Sequence, residues 1–241
     1  MPLLDYQAYH HIVVLTGAGL SVGSGLPTYR GKNGLWKDGR VDPRATAQGI
    51  KEDLMGCWEL FLPLRAGAKE AQPNDGHRAL ATFEASLPSD CSFTLITQNV
   101  DGLHKRAGSR NVVELHGNIL RSRCNDENCQ SASCEDERDY QTCCTTCGGR
   151  LRPDIVLFGE MIPLDASWPM KMAMREVDLF LSIGTSGTVL PAATMVDYAN
   201  ENGAMTVEFN VERSGKFRHF VEGPAEVTVP QELGGVTGKA S

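Results

Sequence analysis

Four cysteines in two pairs, Cys124-x4-Cys129 and Cys144-x2-Cys147, have the spacing of a metal site. Four thiolates around zinc close a tetrahedron and leave no position open for chemistry, which makes such a site structural. One zinc per chain is therefore expected on Cys124, Cys129, Cys144 and Cys147. Cys143 is a rival for Cys144 and Cys134 a spare, and Cys144 is preferred because C-x2-C is the knuckle spacing. Gly148-Gly149, directly after the second pair, would let backbone amides turn back toward the thiolates. A second group is glycine-rich: Thr16-Gly-Ala-Gly-Leu-Ser21 follows an apolar run. Its glycines would let the backbone approach a pyrophosphate, with a helix N-terminus behind them to favour the charge. A third is His116, which ends the run Asn111-Val-Val-Glu-Leu115 and precedes Gly117. An imidazole at that edge titrates near neutrality and can take up a proton.

These groups need a frame. His11–Thr16, Ser92–Thr97, Asn111–Leu115, Leu179–Ile183 and Ala204–Phe209 are apolar runs that end in Gly, Asn, Gln, His, Thr or Ser. Helix-like stretches, Gly76–Glu84, Asp101–Ala107, Trp168–Glu176 and Ala192–Asn202, lie between them. The alternation predicts an α/β fold, a Rossmann-like doubly wound parallel sheet with a small zinc-binding and helical lobe. Ligands gather beyond the carboxyl ends of such strands. The large domain is expected to be discontinuous, over 1–27, 76–120 and 151–230, with a cofactor loop and helical module at 28–75 and a zinc-binding module at 121–150. The segment 121–152 is read as having no strand of its own, and 231–241 as a flexible tail. His104 and His77 are read as ordering their helices.

Composition narrows the function. The chain has 241 residues and a formal net charge of -7. No electrostatic footprint for phosphate backbones exists, so direct nucleic-acid binding is not expected and a lysine-bearing protein is the more natural partner. No apolar run approaches the roughly 20 residues of a membrane span. Met1–His11 lacks the pattern of a signal peptide, so cytosol is expected, with the nucleus as the alternative. Most of the eight cysteines cluster within Cys124–Cys147, which fits a metal better than disulfides. A monomer is expected.

The glycine-rich opening continues as Val22-Gly-Ser-Gly-Leu-Pro-Thr-Tyr-Arg30-Gly31. Together they resemble the sirtuin signature, a GAG-x-S opening that leads to SG-I/L-P-x-F-R-G. Gly23 and Tyr29 depart from it, where the family often has Glu and usually Phe. Gln98-Asn-Val-Asp101, Leu115-His116-Gly117, Phe158-Gly-Glu160, Gly184-Thr-Ser186, Asn210-Val-Glu212 and Gly223-Pro-Ala225 follow in the family's order, so the resemblance spans about residues 10 to 230.

That resemblance implies an NAD-dependent protein lysine deacylase. The acyl oxygen of a modified lysine displaces nicotinamide from the ribose, and amine and O-acyl-ADP-ribose are released. By resemblance His116 is the base for a ribose hydroxyl, and Asn99 orders ribose or water. Gln98, Asp101 and the Val100 backbone belong to the nicotinamide motif. Gly17, Ala18, Gly19, Ser21, Tyr29 and Arg30 form the phosphate turn and cofactor loop. Gly184, Thr185, Ser186, Asn210 and Ala225 hold phosphates and adenosine. An acyl-lysine protein would enter as an extended strand between Phe158, Gly159, Glu160 and the loop after Ser186.

Several segments, among them Leu151-Arg-Pro153 and Trp58-Glu59, look most like the desuccinylase and demalonylase branch, class III. That branch reads an acidic acyl group through a Tyr and an Arg three residues later. Phe61 and Leu64 stand there instead, and a carboxylate buried against them would lose its hydration without a partner. A neutral acyl group such as acetyl is therefore expected, in a pocket lined partly by Phe61 and Leu64. Arg65, one residue on and about 100° around a helix, points elsewhere unless Pro63 turns it inward. The alternatives are a desuccinylase or demalonylase, and an NAD-dependent ADP-ribosyltransferase on the same scaffold.

Overall fold

The computed structural model describes residues 3–29, 40–129, 131–135, 143–187 and 190–234. Six parallel strands form the main sheet, in the order β3-β2-β1-β7-β8-β9. They are β1 (His11–Thr16), β2 (Ser92–Thr97), β3 (Val112–Glu114), β7 (Leu179–Ile183), β8 (Met205–Asn210) and β9 (His219–Glu222). β1 pairs with β2 on one side and with β7 on the other, residue for residue from Ile12 to Thr16. The order of connection reverses between these neighbours, which places the sheet's crevice at the carboxyl end of β1.

Strand pleating sends alternate side chains to opposite faces, and both faces are covered. Ile12 and Val14 pack with Leu95, Leu181 and Phe83, while Val13 and Leu15 pack with Ile96, Phe180 and Met170. The first face is closed by α4 (Asp75–Ser86) and α8 (Ala225–Leu233), the second by α6 (Leu164–Arg175) and α7 (Ala192–Glu201). Burial on both faces is why these strands read as unbroken apolar runs. Asn74 caps α4, accepting from the Gly76 amide at 3.0 Å, and His77 closes the box from the other direction. His104, in the short α5 (Leu103–Arg106), is buried with its Nε2 2.9 Å from Thr16 Oγ1. His77 thus orders its helix as expected, whereas His104 ties its own to β1.

A three-stranded antiparallel sheet, in the order β5-β4-β6, makes the small lobe. Its strands are β4 (Gly117–Cys124), β5 (Cys134–Glu135) and β6 (Leu151–Ile155), so the cysteine-rich segment carries a strand where none is expected. β4 begins at Gly117, directly after His116, and β6 runs to Ile155. Their polar, partly exposed faces leave no long apolar run to read. Two helices, α2 (Ala47–Glu52) and α3 (Leu54–Glu70), pack Ile50, Cys57, Phe61 and Ala68 against Ile119, Ile155 and Leu157. Thr46 and Asp53 cap these helices.

Two further elements differ from expectation. β9 is short, with no fully buried residue, and so lacks the apolar signal of its neighbours. α8 continues through Gln231 to Leu233, anchored by buried Val229 and Leu233, so the chain there is helical rather than loose. Residues 235–241, the rest of the expected tail, lie outside the described residues. No described helix is long and apolar enough to cross a membrane.

Candidate active site

A cavity of about 750 Å³ opens at the carboxyl ends of the strands, between the main sheet and the small lobe. Its floor is backbone. Gly19 N–H donates to the Gly184 carbonyl at 2.9 Å, and Gly17 N–H to that of Ile183 at 3.0 Å. Gly184 has a φ of 61°, and a Cβ on Gly19 would lie 2.7 Å from Gly184 Cα and O. The loops after β1 and β7 therefore interlock only without side chains. Gly19→Ala is expected to cost about 1–3 kcal/mol by overpacking. Urea denaturation reads that loss, with Gly234→Ala, where nothing lies within 4 Å, as the control.

His116 stands at the end of β3, half-buried, with Nδ1 3.1 Å from the Gln98 carbonyl. A carbonyl only accepts, so Nδ1 carries the proton and Nε2 keeps its lone pair. Burial pushes the imidazole down from its ordinary 6.5, against the Gln98 bond, and the ring stays neutral at physiological pH. Asn99 is buried, and its Nδ2 donates to the Gly17 carbonyl at 3.0 Å and to Ser21 Oγ at 3.1 Å. The carbonyl fixes which way the amide faces. Its Oδ1 is buried and has no hydrogen-bond partner among the described residues, although Asn99 itself lines the cavity.

The structure divides the expected residues into two shells. Gly17, Ala18, Gly19, Tyr29, Gln98, Asn99, Val100 and His116 line the cavity. So do Phe61, Phe158, Gly159, Glu160, Gly184, Thr185, Ser186, Asn210 and Ala225. Ser21 and Asp101 do not. They stand behind the wall, joined by a 2.7 Å hydrogen bond, on a recess of about 10 Å³ bordered also by Tyr29 and Val100. Burial pushes the Asp101 carboxyl up, against the Leu103 amide and the Ser21 hydroxyl that donate to it. Leu64 borders that recess and not the cavity, so only Phe61 of the expected acyl pair faces the large space. Arg65 is fully buried and donates to the Ile119 carbonyl at 2.7 Å. Arg30 and part of the loop after Ser186 lie outside the described residues. Ala45, Ile155, Leu157, Ile162 and Leu190 also line the cavity. They carry only an apolar signal in the sequence, which does not tell a lining residue from a core one.

The cysteine cluster has the predicted members. The sulfurs of Cys124, Cys129, Cys144 and Cys147 lie within 4.8 Å of one another. Zinc–sulfur bonds of about 2.3 Å put tetrahedral thiolates about 3.8 Å apart, and the Cys129–Cys144 separation is 3.7 Å. The amides of Asp126 and Gly149 donate to Cys124 and Cys147 at 3.4 and 3.3 Å, so Gly149 does turn back toward a sulfur. Backbone donation from Cys147 lowers the Cys144 thiol to about 6, whereas burial and the crowded neighbouring sulfurs push the Cys129 thiol up. The donor set fits one structural zinc. Exposed Cys143 bridges Arg150 through its backbone, and its sulfur is not among the four that cluster.

A doubly wound sheet with interlocked glycines at its switch point, and a neutral histidine beside them, defines a dinucleotide-dependent enzyme. The model of the Sir2 family matches residues 17–191. The chain is 44% identical to an NAD-dependent protein deacylase of Aquifex aeolicus, over 85% of this chain and 84% of that protein. It is 40% identical to one of Vibrio cholerae, over 92% of each. A solved Sir2 homologue–NAD complex superposes with a TM-score of 0.85 at 35% identity, over 95% of this chain and 90% of that one. A Sir2–p53 peptide–NAD+ complex gives 0.77 at 26% identity, over 95% of each. The chain belongs to the Sir2 family.

Proposed function

We propose that this cleft removes acyl groups from lysine side chains of proteins at the expense of NAD, leaving O-acyl-ADP-ribose and nicotinamide. The observation that carries the reading is His116, a neutral base with Nε2 available, on the same cavity as the glycine floor. Bound NAD supplies the glycosidic bond whose cleavage lets the ribose accept the acyl oxygen. Gly17, Gly19, Gly184, Thr185 and Ser186 would hold the phosphates, and Asn210 and Ala225 the adenosine end. Asn99 would order the ribose or a water, and His116 Nε2 would take up the proton. The recess at Asp101 and Val100 has room for about one water. A nicotinamide carboxamide would meet Val100 at the cavity wall, whereas Asp101 lies behind Ala18, Tyr29, Asn99 and Val100, which border both spaces.

The finer reading is a preference for neutral acyl groups. Phe61 offers an apolar wall, and Arg65 spends a guanidinium nitrogen on the Ile119 carbonyl instead of the cavity. An acyl-peptide panel with NAD tests both levels. The expected outcome is a kcat/KM for acetyl-lysine or a longer neutral chain at least about tenfold above that for succinyl-lysine, the carboxylate paying for its lost hydration. Succinyl-lysine in first place would overturn the preference, and no turnover of any acyl-lysine would overturn the activity. The net charge of -7 further supports a protein substrate over nucleic acid, and we read the chain as a cytosolic monomer.

A further inference from the structure

Glu160 lines the cleft, yet its carboxylate is engaged elsewhere. Arg152 donates from Nη1 to Oε1 at 2.5 Å and from Nη2 to Oε2 at 3.0 Å, and the Leu157 amide donates to Oε2 at 2.8 Å. Such a two-pronged charged pair fixes geometry as well as charge. The Glu160 amide returns a hydrogen bond to the Leu157 carbonyl at 3.0 Å, around Gly159 with a φ of 85°. The segment 157–160 is therefore closed on its own side chain. Its outer edge is fixed too, because Phe158 exchanges hydrogen bonds with Ala45 and Ala47 at 3.0 and 2.8 Å.

The other end of the clamp sits beside the cysteines. Arg152 is 6% exposed, lies on β6 and donates to the Ile155 carbonyl at 3.1 Å. Across the small sheet it is paired with Arg123, whose Nη2 is 3.7 Å from the same Glu160 carboxylate. The next pair outward is Cys124 with Leu151. Two arginines anchored next to the metal cluster thus converge on one carboxylate at the cleft. Burial pushes that carboxyl up, but the Arg152 and Leu157 donors outweigh it and hold it below the usual range.

We infer that Arg152 and Glu160 are a positioning pair that holds 157–160 in the shape on which the backbone of an acyl-lysine peptide docks, neither residue touching the reacting atoms. This rests on the deacylase reading. It assigns Glu160 a different job from the direct substrate contact expected from its place in the Phe-Gly-Glu motif.

The test combines fluorescence anisotropy of a labelled acetyl-lysine peptide, without NAD, with steady-state kinetics and an NAD titration. Glu160→Gln is expected to raise peptide Kd and KM about tenfold, the factor that corresponds to losing one charged hydrogen bond. The value of kcat should stay within about twofold and NAD affinity should not change. Arg152→Lys, which keeps the charge but not the fork, should give the same split more weakly and serves if Glu160→Gln does not fold. On an Arg152→Gln background, Glu160→Gln should add little, because the two act as one unit. Unchanged peptide affinity, an equal loss of NAD affinity, or a full additional loss in the double variant overturns the pairing. Wild-type protein that neither binds nor turns over the peptide overturns the deacylase reading along with it. Normal wild-type turnover beside an unaffected Glu160→Gln overturns the pairing only.

Discussion

His116→Ala is expected to slow deacylation by a factor of about 10²–10⁴, the usual worth of a positioned general base, while NAD still binds. The selectivity follows from the geometry. The imidazole is held through Nδ1 by the Gln98 carbonyl, whereas the interlocked glycine loops are built from backbone that the substitution does not touch. Release of nicotinamide and O-acyl-ADP-ribose measures the first quantity, and calorimetric titration with NAD the second. The pH profile has a definite sign. The working form is neutral imidazole, and burial lowers the pKa from 6.5, so activity should fall only as pH drops through a value below 6.5. An acid limb above 6.5, or near-normal turnover in His116→Ala, would remove His116 from the chemistry.

The second large effect should come from the metal cluster. Cys144→Ser removes one of four mutually close sulfurs, and the segment it closes contains little apolar material beyond Cys124, Cys144 and Leu151. Metal binding in such a module is largely its folding energy. Zinc content should drop well below one per chain, and melting should fall by on the order of 10 °C, as several kcal/mol imply at this size. Cys143→Ser and Cys134→Ser should retain zinc, since neither sulfur belongs to the cluster. Elemental analysis with differential scanning calorimetry reads both quantities. Full zinc in Cys144→Ser would reassign the fourth ligand.

The sheet was legible because parallel strands covered on both faces must be apolar throughout, as β1, β2 and β7 are. The cysteine pairs and His116 were legible because spacing and a strand end locate them without tertiary information. Three features were not. β9 is a partly exposed edge, and α8 contains Pro230, so neither has the pattern of a buried element. The small sheet is held by antiparallel register, including a shift between Asn118 and Ser122, which no local pattern encodes. Within the site, Leu64 and Phe61 lie three residues apart on α3, yet only Phe61 meets the cavity, and Glu160 spends its charge on Arg152. A motif names the residue at a position, whereas its direction depends on partners supplied by other elements.

The place of β1 at the centre of the sheet also bears on how a newly made chain comes together. His11–Thr16 is synthesised before both of its neighbours, and one of them, Leu179–Ile183, follows only after the whole small lobe. Until then a buried-type strand has one bare edge of amides and carbonyls, a ready template for another chain. Contacts so distant along the sequence are slow to form, because the intervening loop must be closed before they give any return. The zinc lobe, whose strands are neighbours in sequence, can order first and shorten that loop. A nascent chain cut off before Leu179 would carry Gly17, Gly19 and His116 but lack Ile183 and Gly184, the other half of the glycine floor, and aggregation would compete with folding from that point onward.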